Sequence, residues 1–157
     1  MIQLCSMTEE AYQKWLAISV ADYAKQKADA GFFKPEEALQ KSKDEFARIL
    51  PQGLATPDQY LYSITTEEPS EVVGMIWFAS LRGQTGPLAY IYDLMIYPAY
   101  RRHGYGEAAM RLLEEKVREL GLNTIELNVF GHNLSARALY EKVGYNTAAI
   151  TMTKKLF

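Results

Sequence analysis

The sequence reads as a single α/β or α+β domain spanning residues 1–157, and three observations carry that reading. Apolar residues recur at helical spacing in two long stretches, near the N-terminus and again after residue 104. Alternating or continuously apolar runs, bounded by Gly, Pro and Ser, fill the middle. The two kinds of segment come in mixed order, with no internal repeat, low-complexity tract or linker between them. A chain of 157 residues is long enough to bury roughly two-thirds of its unfolded surface.

In chain order, Ile2 to Met7 is predicted as a short strand. Ser6 or Thr8 then caps a helix from Glu9 to Ala30, with Tyr12, Trp15, Leu16, Val20 and Tyr23 on one face and Gly31 as its stop. A second helix is expected from Pro35, with Glu36 and Glu37 favourable in its first turn, to Leu50 before Pro51. Gln59 to Thr65 alternates as a strand, "EEPSE" reads as a turn, Val72 to Leu81 as a buried strand, "RGQTG" as the next turn and "PLAYIYDLMIY" as a long strand. A helix follows with Ala109, Leu112, Leu113, Val117 and Leu120 inward, closed by Gly121. Then come a strand from Asn123 to Phe130, a shorter helix from Leu134 to Val143 ended by Gly144, and a final strand in "TAAITMTKKL".

Composition excludes several classes of function. Hydrophobic residues make up 48% and charged residues 23%, ordinary for a globular protein and unlike a disordered one. A net charge of −2 gives no reason to expect nucleic-acid or membrane binding. No apolar run reaches the length of a membrane span, and the N-terminus lacks a basic segment followed by an apolar one, so a soluble cytoplasmic protein is expected. The one cysteine, Cys5, has no partner for an internal disulfide. Two separated histidines, His103 and His132, show no metal-ligand spacing.

The most informative stretch is "YPAYRRHGYGEAAMRLLEEKV", residues 97–117. It places Arg101, Arg102, His103, Gly104 and Gly106 at the start of a helix. A helix N-terminus exposes unpaired N–H groups and carries partial positive charge, and glycine lets a ligand approach them closely. An anion, most simply a phosphate, fits there. One match is the dinucleotide pattern, because Gly104-Tyr105-Gly106-Glu107-Ala108-Ala109 satisfies G-x-G-x-x-G/A and Glu126 lies 20 residues after Gly106. That turn, however, follows its strand almost at once, whereas Tyr97 to His103, including Pro98, separates Ile96 from Gly104.

The better match is to a family. Arg101-x-x-Gly104-x-Gly106 after a strand resembles the Arg/Gln-x-x-Gly-x-Gly/Ala signature of the GCN5-related N-acetyltransferases. Downstream, Asn133-x-x-Ala136-x-x-x-Tyr140-x-x-x-Gly144-Tyr145 is similar to that family's Asn-x-x-Ala-x-x-x-Tyr-x-x-x-Gly-Phe segment. The resemblance is closest from Val72 to Phe157 and looser over the first two helices. It implies a mixed, mostly antiparallel sheet with helices on both faces, splayed between the two strands that flank the cofactor. It further implies transfer of acetyl from acetyl-CoA to a primary amine of a small molecule or peptide, by direct attack in a ternary complex. A non-catalytic acetyl-CoA-binding module is the alternative, and a homodimer is compatible with either.

On that resemblance, Leu94, Met95 and Ile96 pair with pantetheine in the manner of strand addition, and donors near Met95 polarise the thioester carbonyl. The N–H groups of Arg102, His103, Gly104, Tyr105, Gly106 and Glu107 hold the pyrophosphate, with Arg101 adding charge. A β-branched side chain at Gly104 or Gly106 is expected to fill the phosphate's space. Asn133 contacts the cofactor arm or caps its helix, small Ala136 lies beside the cofactor, and Tyr140 protonates the departing thiolate. Three departures stand out. Arg102 occupies a place often taken by glycine, Glu107 would repel phosphate unless it points away, and no glutamate stands on the strand before the turn. Asp93 or Glu126 is left to take the amine proton, and Tyr92 and Phe33 are candidates for the acceptor site.

Overall fold

The structure, a computed structural model, describes residues 1–157. Strand β1 (Ile2–Ser6) leads through the Thr8 cap, which accepts from the Ala11 N–H at 3.2 Å, into helix α1 (Glu9–Asp29). Helix α2 (Ala38–Ile49) is followed by β2 (Gln59–Thr66), β3 (Val72–Gly83), β4 (Gly86–Ile96), α3 (Tyr105–Glu119), β5 (Ile125–Leu127) and α4 (Leu134–Lys142). The sheet order is β1-β2-β3-β4-β5, with antiparallel pairs throughout except the parallel β4–β5 pair. No helix is long and apolar enough to cross a membrane.

Both faces of the sheet are covered, which is why Val73 to Ala79 is buried without a break. One face packs Ile64, Ile76, Phe78, Ala89 and Ile91 against Ala109, Met110, Leu113 and Val117 of α3. The other packs Leu61, Met75 and Trp77 against Tyr12 and Trp15 of α1, with Phe46 of α2 alongside. Trp15 and Trp77 meet edge to face at 5.4 Å. Ser42 Oγ crosses from α2 to the Val20 carbonyl at 2.6 Å and fixes the two helices together.

Three elements and one inward-facing assignment differ from the sequence reading. Helix α2 begins at Ala38, because residues 35–37 close a turn (Glu37 N–H to Lys34 O, 2.9 Å) that leaves Glu36 and Glu37 outside the first helical turn. Leu120 is exposed and Met110 takes the inward place on α3. Strand β5 is three residues long instead of running from Asn123 to Phe130, since its one partner, β4, pairs with it only as far as Ile91 and Leu127. No strand forms in residues 147–156, where Ile150, Met152 and Leu156 are exposed. β-Propensity expresses fit to a half-buried pleated surface, and this segment lies on none.

Candidate functional site

The site grows from the end of the β4–β5 pairing. Beyond Ile91 and Leu127 the two strands part, so the β5-facing edge of β4 from Tyr92 to Ile96 has no strand partner while its other edge stays paired with β3. Unpaired strand edges offer main-chain donors and acceptors to an extended, amide-bearing ligand. Gly74, opposite Ile96 on β3, permits this geometry. A Cβ there would collide with the Met95 carbonyl oxygen and press on the Ile96 Cα. The sequence pattern singles out no role for Gly74, because the close approach exists only across strands.

A bulge adjusts the same strand. Trp77 pairs with Asp93 and Phe78 with Ile91, leaving Tyr92 as the extra residue. Strict alternation would send Tyr92 and Asp93 to opposite faces; the bulge turns both toward α1 and α2. Tyr92 stacks on Trp77 at 4.5 Å and meets Tyr90 at 4.9 Å. Trp15 Nε1–H donates to Asp93 Oδ2 at 3.1 Å. Burial pushes the Asp93 carboxyl above the usual carboxylate range, a shift opposed by the Trp15 N–H and reinforced by the charge of Asp22.

Tyr140 of α4 packs against the core on the α3 side of the sheet. Burial, with the nearby Asp93 charge, pushes its hydroxyl up to about 12, so at neutral pH it carries its proton. Asp93 and Tyr140 are thus brought together. Glu126 is not with them: it is exposed and stands across from Tyr90 on β5. Phe33 lies further out, its ring against Tyr23 (6.3 Å) and beneath the Lys27 and Lys41 ammonium groups, each at 5.5 Å.

Past β4, a single 3₁₀ turn (Pro98–Tyr100) leads to the start of α3. Arg101 folds back and donates Nε–H to the Ile96 carbonyl at 2.9 Å, tying the turn to the end of the strand. His103 Nδ1 lies 3.0 Å from the Tyr100 carbonyl and its ring stacks on Tyr105. Gly104, at φ +75°, is the N-cap position, and Ala108 is the first residue of the helix to bond back to it. The amide N–H groups from Arg102 to Glu107 consequently make no main-chain hydrogen bond. A Cβ on Gly104 would meet nothing within 4 Å, so the space above these donors is open. Glu107 turns away from it, its carboxylate held below the ordinary range by Lys142 at 2.8 Å and Arg111 at 3.0 Å. Asn133 caps α4, accepting from the Ala136 N–H at 3.3 Å.

Two expected substitutions follow. Arg102 has φ +66°, so Arg102→Gly should stabilise the fold by on the order of 1 kcal/mol, measured by denaturant unfolding. Gly104 and Gly106 are not equivalent, contrary to the sequence reading. A Cβ on Gly106 points inward, 3.2 Å from Leu139 Cδ2 and 3.8 Å from Ile96 Cγ1, so a side chain there presses on Leu139 of α4 and not on the open space. Both Gly104→Val, strained by its φ of +75°, and Gly106→Val, crowded by Leu139, should therefore lower the melting temperature in thermal unfolding, but only the Gly104 side chain projects into the open space.

Comparison with known proteins bears on this arrangement. A profile described as "Acetyltransferase (GNAT) family" matches residues 14–145. The Bacillus subtilis (strain 168) proteins YycN and YdgE, both named N-acetyltransferases, are 36% and 34% identical, covering 99% and 96% of this chain and 99% and 95% of their own. The crystal structure of YycN superimposes with a TM-score of 0.94, covering 100% of this chain and 99% of that one. A ribosomal protein bS18 alanine N-acetyltransferase of Escherichia coli (strain K12) is 36% identical over 62 residues, 40% of this chain and 42% of its own.

Proposed function

The chain belongs to the GNAT family of acetyltransferases, and from that premise we propose that it moves the acetyl group of acetyl-CoA onto a primary amine of a small molecule or peptide. The observation that carries the reading is the run of unbonded N–H groups from Arg102 to Glu107 beside the unpaired edge of β4. Acetyl-CoA supplies a thioester carbonyl open to attack and a thiol leaving group.

The chain's own residues do the rest. Main-chain N–H groups at the start of α3 hold the pyrophosphate, and the small cap Gly104 lets it approach. The free edge at Leu94, Met95 and Ile96 aligns the pantetheine arm. Asn133 and Ala136 flank that arm from α4, with Asn133 capping the helix as it does so. Asp93 accepts the proton that the attacking amine must lose, its raised affinity bringing it closer to the working pH. Tyr140 protonates the departing sulfur. Tyr92 offers its ring to the acceptor; Glu126 and Phe33, further off, are left with outer roles.

The test is thiol release from acetyl-CoA across polyamines, aminoglycosides, amino acids and peptides. Turnover on at least one amine is expected. Silence across the whole panel, with acetyl-CoA still bound, would instead favour a non-catalytic acetyl-CoA-binding module.

A further inference from the structure

Helix α4 is followed by Gly144, whose φ of +101° turns the chain, and the Tyr145 N–H bonds back to the Tyr140 carbonyl at 2.9 Å. From Asn146 to Phe157 every residue is exposed, and none makes a main-chain hydrogen bond. The segment is nonetheless patterned. Ala148, Ile150 and Met152 alternate with Ala149, Thr151 and Thr153, the period of a strand with one apolar face. Ile150 is 74% exposed and Met152 88%. Lys154 and Lys155 follow, and neither belongs to an ion pair.

The same chain carries a place for such a strand. β5 ends the sheet and pairs with β4 on one side only, which leaves its outer edge unpaired. Beside it a groove of about 540 Å³ lies between α3 and the end of α4, lined by Glu114, Val117, Leu122, Ile125, Val143 and Tyr145. Tyr145 Oη is buried there with no hydrogen-bond partner. Glu126, between Ile125 and Leu127 and so on the other face of β5, is exposed and in no ion pair.

A foreign ligand would cover the groove and leave the tail bare. Two copies related by a twofold axis cover both at once, because each brings one tail and one groove. Charge agrees with this occupant. With Ile150 and Met152 turned to the groove, Lys155 falls on the face of Thr151 and Thr153, the side of Glu126, and Lys154 falls on the side of Glu114. We propose that the protein is a homodimer in which residues 147–157 of each copy add as a strand to the outer edge of β5 in the other. The added strand lays its apolar face over Val117 and Ile125 and gives the Tyr145 hydroxyl a main-chain partner. Acetyl transfer plays no part in the argument, so the two readings stand or fall separately.

Sedimentation of the wild-type chain and of the double variant Ile150→Asp/Met152→Asp tests it. Both residues are exposed, so the variant is expected to fold, and circular dichroism checks that it does. The wild type should sediment at twice the mass of one chain. The double variant should sediment as a monomer, its dissociation constant raised on the order of a hundredfold or more. Lys155→Glu should weaken the dimer several-fold, and Glu126→Lys in the same chain should restore it. A wild-type monomer, or a dimer that persists in the double variant, overturns the inference. So does a tail folded onto its own groove, which would lower the melting temperature of the double variant without changing its mass. Charge reversal at Lys155 that Glu126→Lys does not rescue overturns the placement on β5.

Discussion

Asp93→Asn is expected to lower kcat/KM for the best amine by ~10²–10⁴-fold while raising the melting temperature at neutral pH. The two effects share one cause. Burial beside Trp15 makes Asp93 hold its proton more tightly in the folded chain than in the unfolded one. A carboxyl with a raised folded pKa favours folding only while protonated. That contribution is present below the ordinary aspartate range and is lost as pH rises through the raised value. Asparagine keeps an acceptor for Trp15 and carries no charge, so the variant should gain stability above that window and lose its advantage in acid. Melting curves across pH measure this directly. The catalytic loss should be deepest toward low pH, where free amine is scarce, and Glu126→Gln should show no such pattern. A larger loss in Glu126→Gln would move the proton acceptor to β5.

Tyr140→Phe is the second large effect. The change removes one oxygen and keeps the ring that packs at 5.7 Å from Tyr145. With its hydroxyl pushed up to about 12, Tyr140 is protonated throughout the working range and suited to give its proton to a thiolate. A fall in kcat of ~10²–10⁴-fold is expected, with acetyl-CoA affinity little changed. Full kcat in the variant would make Tyr140 a packing residue only.

What could be read from the sequence follows the range of the forces involved. Thr8, Gly31, Gly104 and Asn133 act through local backbone geometry, and each stands at the helix boundary it marks. Helix α3 was legible because its inward residues repeat at helical spacing, although Met110 and Leu120 exchanged places around the edge of that face. Three features depend on contacts between distant segments and leave no local trace. The bulge at Tyr92 is a register shift against Trp77, so alternation alone puts Tyr92 and Asp93 on opposite faces. Gly74 matters only because the Met95 carbonyl crosses it. Trp15 looks like an ordinary core residue until its indole N–H reaches across to Asp93. The tail fails for the converse reason. Residues 147–156 have strand-like composition but lie on no surface of their own chain.

The central claim is that the start of α3 and the free edge of β4 hold acetyl-CoA. Calorimetric titration of the wild-type chain with acetyl-CoA, and separately with NAD, tests it most directly. Binding of acetyl-CoA at one site per chain with micromolar affinity is expected, weakened severely in Gly104→Val, with NAD binding far more weakly. Tight NAD binding without a response to acetyl-CoA, or unchanged acetyl-CoA affinity in folded Gly104→Val, would contradict it.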